Sequence, residues 1–205
     1  MIKQLSWRLL MVAGVMAAGA GSAVAQTTTC TSTLPAGDYA AVNVPAGASC
    51  FLATSGTVSV SGNVTVVSGA SLTDYGAAKF TVGSSLLAVG ARVIYLVPAT
   101  GGAVNILGSV SVTGDTNTVD IRDSFIGGTL SVANSKISSY ILLSANDVAA
   151  NILNRGNTTP APGDNDVNGN TLGGSLVCTG NSPAPQNGGV PNTVGGSKAG
   201  QCSGL

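Results

Sequence analysis

The chain has 205 residues, and only 8% of them are charged, well below the usual fraction of about 25%. All eight acidic residues are Asp, His is absent, and 29 residues are Gly. Intrinsic disorder is excluded because 44% of the chain is hydrophobic and the formal net charge is zero. A basic nucleic-acid binder is excluded for lack of excess positive charge, as is any catalytic mechanism that depends on His or Glu.

The N-terminus has the three parts of a secretory signal peptide. Lys3 and Arg8 precede an uncharged, apolar stretch at 9–20, and an A-x-A sequence at 23–25 is followed by Gln26. The alternative is a membrane anchor, since the uncharged run 9–25 reaches the lower limit of about 17 residues for a spanning helix. We predict a signal peptide at 1–25 and a secreted, periplasmic or cell-surface protein with no membrane span after cleavage.

Four cysteines remain in the predicted mature chain, at positions 30, 50, 178 and 202. An even number in an exported chain indicates disulfides, and four cysteines allow three pairings. Their positions favour two local loops, Cys30–Cys50 and Cys178–Cys202, one at each end of the chain. In the chain-entropy model, each loop stabilises the fold by about 3 kcal/mol.

The middle of the chain repeats one short phrase, a Gly followed by alternating polar and aliphatic residues. Clear copies are GTVSV at 56–60, GNVTV at 62–66, GSVSV at 108–112, GTLSV at 128–132 and GSLVC at 174–178. Period-2 alternation predicts short strands with one side buried, and the intervening Gly, Asn, Asp and Ser predict turns. We expect the aliphatic positions to point inward: Val58, Val60, Val64, Val66, Val110, Val112, Leu130 and Val132.

The spacing of these strands separates two architectures. In a β-sandwich or barrel, strands recur about every 8–12 residues. Here the glycines at 56, 62 and 69 are six or seven residues apart, which suits the corners of a β-solenoid. The sequence therefore predicts an all-β, single-domain parallel β-helix of roughly seven coils with disulfide-closed ends.

This architecture divides the mature chain into three segments. Residues 26–50 form an N-terminal cap and the first coil, residues 51–180 form the β-helix, and residues 181–205 form an Asn-, Gly- and Pro-rich tail tied back by Cys202. The ends of a solenoid expose sheet edges, which need such caps to prevent aggregation.

Several phrases make the chain similar to a known group. VPAGASC at 44–50, GNVTV at 62–66, GASL at 69–72, LVCTGNSP at 176–183 and GQC at 200–202 resemble secreted bacterial parallel β-helix proteins of unassigned function. The resemblance covers nearly all of residues 28–202. It implies a right-handed parallel β-helix and no particular activity.

The strongest candidates for catalysis are Asp120, Arg122 and Asp123. In a strand, Asp120 and Arg122 share the outer face while Ile121 points inward, and Asp74 and Asp115 could lie on nearby coils. Paired carboxylates at separations of about 6.5–9.5 Å could serve an inverting polysaccharide hydrolase, and Arg122 could bind an acidic sugar. The alternative is a solvated strand pair, with Asp123 at a corner.

A second candidate is Asp164, Asp166 and Asn168 in the sequence DNDVNG. It matches the first half of a calcium-binding loop, but position twelve is Ser175 where a bidentate Glu is required. The alternative is a corner rich in Asn and Asp. We therefore predict no cofactor, with calcium at this site as the alternative.

The aromatic residues give no clear sign of a binding platform. The mature chain has three Phe and four Tyr, which are scattered singly along the sequence, and we expect about half of them in the core. The leading hypothesis is an exported, non-enzymatic structural, adhesive or surface-associated protein. The alternatives are a polysaccharide lyase or hydrolase and a glycan- or calcium-binding module, so the expected partner is an extracellular polysaccharide or a cell-surface component.

Overall fold

The structure, a computed structural model, describes residues 26–76 and 78–205. The predicted signal peptide at 1–25 lies outside the described residues. The described part of the chain contains 24 β-strands and no helix, and all strand pairs are parallel. It is a parallel β-solenoid of about eight turns, which confirms the predicted fold class and slightly exceeds the predicted number of coils.

The strands form three sheets, and each full turn of the chain visits each sheet once. Sheet 1 has nine strands: β1 (Thr27–Thr29), β4 (Ala41–Val44), β7 (Val64–Val66), β10 (Leu86–Val89), β13 (Val110–Thr113), β16 (Leu130–Ala133), β19 (Ile152–Arg155), β22 (Leu176–Thr179) and β24 (Lys198–Gly200).

Sheet 2 has seven strands: β2 (Thr33–Leu34), β5 (Ser49–Leu52), β8 (Ser71–Asp74), β11 (Val93–Leu96), β14 (Thr118–Arg122), β17 (Ile141–Ser144) and β20 (Asn165–Asn168). Sheet 3 has eight: β3 (Gly37–Tyr39), β6 (Thr57–Val60), β9 (Lys79–Val82), β12 (Ala103–Ile106), β15 (Ser124–Ile126), β18 (Asp147–Val148), β21 (Thr171–Leu172) and β23 (Thr193–Val194). The final strands β23 and β24 lie in the segment 181–205.

The core consists of aliphatic columns that run along the solenoid. Val64 pairs with Leu86, Leu86 with Val110 and Val110 with Leu130, so one turn takes 22, 24 and 20 residues in succession. All eight positions that the sequence predicted as inward are buried, with at most 1% of each side chain exposed. Because aliphatic side chains of successive turns stack on one another, strands of only a few residues share one continuous core.

A column of left-handed residues makes the corner between sheets 1 and 2. One residue with φ between 52° and 72° stands at this corner in each of seven successive turns: Gly47, Gly69, Gly90, Gly114, Asn134, Gly156 and Gly180. Gly adopts this conformation without steric cost, and Asn tolerates it better than most residues. The repeated glycines in the sequence are therefore required by the backbone at this corner.

From Gly114 onward, the residue after each left-handed position is polar, and these side chains build a ladder along the corner. Asn157 accepts a hydrogen bond from the backbone N–H of Ser135 through Oδ1, and its Nδ2 donates to the carbonyl of Val132. Asn181 repeats this pattern one turn on, with the N–H of Asn157 and the carbonyl of Asn154. A second ladder of Asn146, Asn170 and Asn192 lines the corner between sheets 2 and 3. These amides satisfy backbone groups that leave the sheet ladders at the corners.

Asp115 occupies the same ladder with a carboxylate in place of an amide. Its Oδ1 accepts from the N–H of Ala91, but its Oδ2 is buried without a hydrogen-bond partner. Burial raises the pKa of Asp115 from 3.8 to about 7, and the bond from Ala91 offsets only part of that rise. When it is ionised, this carboxylate cannot donate as the Asn157 amide does, and its Oδ2 stays unbonded.

Both predicted disulfides are present. Cys30 and Cys50 have their Cα atoms 5.5 Å apart, and Cys178 and Cys202 have theirs 5.2 Å apart. Each bond joins neighbouring turns at one end of the solenoid, and no cysteine is free. The bonds therefore fasten the terminal turns, each of which has a neighbour on only one side.

The inward and outward assignment can be tested with two adjacent substitutions in β13. Val112→Asp places a charge in the aliphatic column between Ala88 and Val132 and should destabilise the protein by at least about 4 kcal/mol. Ser111→Asp lies on the outer face and should change the stability by less than about 0.5 kcal/mol. Denaturant unfolding of the oxidised protein measures both, and similar midpoints for the two variants would contradict the assignment.

The corner ladder generates a pH-dependent prediction for Asp115→Asn. In the wild type, the folded-state pKa of about 7 lies above the unfolded value, so Asp115 favours folding most at acid pH and this stabilisation is lost as the pH rises to about 7. An amide at position 115 does not ionise and can donate to a carbonyl, as Asn157 does. The variant should exceed the wild type in stability near pH 8 by about 1–3 kcal/mol, and the gap should narrow near pH 5. Identical pH profiles of the melting temperature would contradict this assignment.

Candidate functional site

Asp120 and Arg122 lie on the outer face of sheet 2, with Ile121 between them in the core, as the alternation predicts. The guanidinium of Arg122 holds the carboxylate with two bonds, from Nε to Oδ1 at 2.6 Å and from Nη2 to Oδ2 at 2.5 Å. The Tyr140 hydroxyl donates a third bond to Oδ2 at 2.9 Å. Both carboxylate oxygens of Asp120 are therefore occupied.

Asp120 is not the solvated residue that an exposed strand pair would contain. Its side chain is completely buried on the outer face, whereas the Arg122 side chain is about one-third exposed at 34%. The hydrogen bond from Arg122 to Asp120 raises the pKa of the guanidinium. Burial and, secondarily, the bond to Asp120 raise the pKa of Tyr140 to about 12. The three side chains form one locked cluster in which Asp120 is the central acceptor.

The other carboxylates of the predicted catalytic group lie elsewhere. Asp123 is exposed at the next corner with φ of 46°, so the strand does end there. Asp115 and Asp74 are buried, the latter inward on β8 beside Leu96 with Oδ1 accepting from the N–H of Gly76. Burial raises the pKa of Asp74. Of these five residues, only Asp120 and Arg122 share a face.

The predicted calcium loop is an extended strand. Asp166 and Asn168 lie on β20 and alternate with the buried Asn165 and Val167, so the chain does not wrap around a central point. Asp164 caps the N–H of Ala161, and Asn168 accepts a bond from the Ser144 hydroxyl. Burial and the neighbouring charge of Asp164 raise the pKa of Asp166. Among the described residues, no three acidic, His or Cys side chains gather at one point.

Four aromatic side chains, which the sequence gave no reason to connect, gather on the outer face of sheet 2. Phe51 lies on β5, Tyr75 follows β8, Tyr95 lies on β11 and Tyr140 precedes β17. We call these four residues the aromatic face. The expectation that about half of the aromatic residues fill the core is wrong, because Phe80 is the only fully buried one among the described Phe and Tyr residues.

The aromatic face is open to solvent and internally packed. Tyr75 is 63% exposed and Phe51 is 45% exposed, so two large rings of this face meet solvent. The rings of Tyr75 and Tyr95 have their centroids 4.7 Å apart and are tilted by 46°. Tyr95 on β11 pairs with Asp120 on the neighbouring strand β14, which places the locked cluster next to the rings. The aromatic face and the cluster are therefore one continuous surface.

Comparison with known proteins found no match. The chain matches no known protein family, no curated protein and no solved structure. It is a parallel β-solenoid protein whose two disulfides are typical of an oxidising compartment. None of the described residues forms a helix long and apolar enough to cross a membrane.

The locked cluster predicts unequal effects for two Asp→Asn substitutions. Asp120→Asn weakens the bonds to Arg122 and Tyr140 in a buried position and should lower the free energy of unfolding by about 1–3 kcal/mol. Asp123→Asn at the exposed corner should stay within about 0.5 kcal/mol of the wild type, since Asn accepts left-handed φ. Urea unfolding distinguishes the two, and equal midpoints would show that Asp120 is not held as described.

Proposed function

We propose that this protein is exported and acts as a non-enzymatic structural, adhesive or surface-associated protein. Its outer faces provide the binding or supporting surface, and its core and corners keep those faces rigid. The observation that carries the proposal is the state of Asp120. This residue is the best acid–base candidate in the chain, and both of its oxygens are bonded to Arg122 and Tyr140.

The carboxylates offer little support for acid–base chemistry. A hydrolase needs one carboxylate that is protonated and one that is ionised, facing a common substrate bond. The carboxylate with the most strongly raised pKa, Asp115, lies inside a corner ladder and not on the face that carries Asp120. Asp123 lies beyond the end of the strand, on a corner. These placements favour a role in which the surface binds or supports, without bond cleavage.

Export is supported by the N-terminal sequence and by the cysteines. The charged, apolar and A-x-A segments of residues 1–25 are those of a signal peptide, and disulfides persist where the surroundings are oxidising. In a solenoid with few charges, the Ser, Thr and Asn side chains on the outer faces keep the surface hydrated without ion pairs. Such a surface suits an exterior with variable salt concentration.

The proposal is tested by expressing the full chain with a C-terminal tag, separating the cell fractions, and assaying the recovered protein on neutral and acidic polysaccharides. We expect a processed chain that begins near Gln26 outside the cytoplasm, with no new reducing ends and no unsaturated products. Cleavage by the wild type that disappears in Asp120→Asn, with circular dichroism unchanged, would replace this proposal with a hydrolase or lyase. An unprocessed chain retained in the cytoplasm would overturn the export part.

A further inference from the structure

The aromatic face concentrates four of the seven Phe and Tyr residues on one of three outer faces. The outer side of sheet 3 carries one exposed ring, Phe125, on β15. The outward positions of sheet 1 are held by residues such as Thr65, Ser111 and Ser131, with no ring among its described strands. A distribution this uneven marks the outer side of sheet 2 as a distinct surface.

The rings follow the solenoid axis. Phe51, Tyr95 and Asp120 belong to one outward column of sheet 2, and Tyr75 lies beside that column where it contacts Tyr95. From β5 to β17, the aromatic face spans four strand spacings, or roughly 19 Å. Because the strands beneath are hydrogen-bonded on both sides, the rings are held at fixed intervals on a rigid support. This geometry fits a long, extended ligand.

Polar groups lie between and beside the rings. Arg122 uses Nε and Nη2 to hold Asp120, which leaves further N–H groups of its guanidinium as donors in a fixed orientation. Ser49 and Ser71 occupy the neighbouring outward column, and the Ser71 hydroxyl is buried without a hydrogen-bond partner among the described residues. Hydroxyl donors and acceptors next to apolar rings are the combination that a sugar chain requires.

The chemistry of a pyranose matches this surface. One face of the sugar ring presents C–H groups, which pack against the electron-rich face of an aromatic ring, and the hydroxyls around its rim bond to polar side chains. Flat, exposed rings provide contact area with little loss of side-chain entropy on binding, because Tyr and Phe have few rotatable bonds.

The charges select among polysaccharides. Arg122 is neutralised by Asp120, and Arg92 lies at the edge of the face next to Val93. At the other end, Asp164 and Asp166 lie close enough for the charge of Asp164 to raise the pKa of Asp166. The face therefore has no positive excess with which to hold a polyanion, and its acidic end would repel one.

We infer that the aromatic face, together with Arg122, binds a neutral polysaccharide chain that lies along the solenoid axis. This inference rests on the proposed function, since it supplies the ligand class for a non-catalytic surface protein. Phe51, Tyr75 and Tyr95 form the stacking platform, and Arg122 and Ser49 bond to hydroxyls. The Asp120 carboxylate acts as a positioning residue that holds Arg122 and Tyr140.

The test uses affinity electrophoresis of the mature, oxidised protein in gels that contain a soluble neutral polysaccharide: a β-glucan, a xylan, a mannan or an α-glucan. Polygalacturonate and alginate serve as acidic probes. We expect retardation by at least one neutral polymer and none by the acidic ones. Tyr75→Ala and Phe51→Ala should each raise the dissociation constant by about tenfold, as expected for loss of a stacked ring.

Two variants serve as controls. Phe125→Ala removes an exposed ring of similar size from sheet 3 and should leave binding unchanged. Tyr75→Phe keeps the ring and should bind nearly as well as the wild type. Melting temperatures measured alongside show whether each variant is folded, and Phe51→Ala carries the test if Tyr75→Ala unfolds.

The outcomes separate this inference from the proposed function. No retardation by any neutral polymer, retardation by the acidic polymers only, or an equal loss in Phe125→Ala would overturn the inference and leave a non-catalytic exported protein in place. Cleavage of a polysaccharide that still depends on Tyr75 would overturn the non-enzymatic role and retain the binding face.

Discussion

The corner between sheets 1 and 2 is the constraint on which the other features depend. In seven successive turns the backbone bends there at one residue in the left-handed region, and the column of these residues, from Gly47 to Gly180, keeps those turns in phase. Once the corner is fixed, the strands that follow stack in register, and the aliphatic side chains fall into continuous columns. The amide ladders next to the corner then satisfy the backbone groups that the bend exposes.

The same phasing explains how the aromatic face forms on the outer side of sheet 2. A side chain that faces outward on one strand has its counterparts one strand spacing above and below, so Phe51, Tyr95 and Asp120 share a column although the chain between them is long. Asp120 is buried because neighbours in adjacent turns, with Tyr140 among them, cover it. Burial on an outer face is thus a property of several turns together and not of one strand.

These relations set the limit of what the sequence alone can predict. The Gly-led phrases predicted the strands, the inward positions such as Val112, and the solenoid, because all of these depend on local alternation. The cysteine positions predicted the two disulfides. The aromatic face escaped prediction because turns differ in length: Phe51 stands four residues after its corner Gly47, whereas Tyr95 stands five after Gly90. The sequence does not reveal the register between turns, so equivalent outward positions cannot be matched. For the same reason, the sequence predicts a solvated Asp120, because the side chains that cover it come from other turns.

The positions of the disulfides have a consequence for the lifetime of the protein. In a solenoid each turn is supported by its neighbours alone, so loss of structure begins at the two terminal turns and spreads inward. Cys30–Cys50 and Cys178–Cys202 lie in those turns. Fraying is therefore restrained where it would start. Such resistance to unfolding suits a protein that must persist where chaperones cannot refold it and new synthesis cannot replace it.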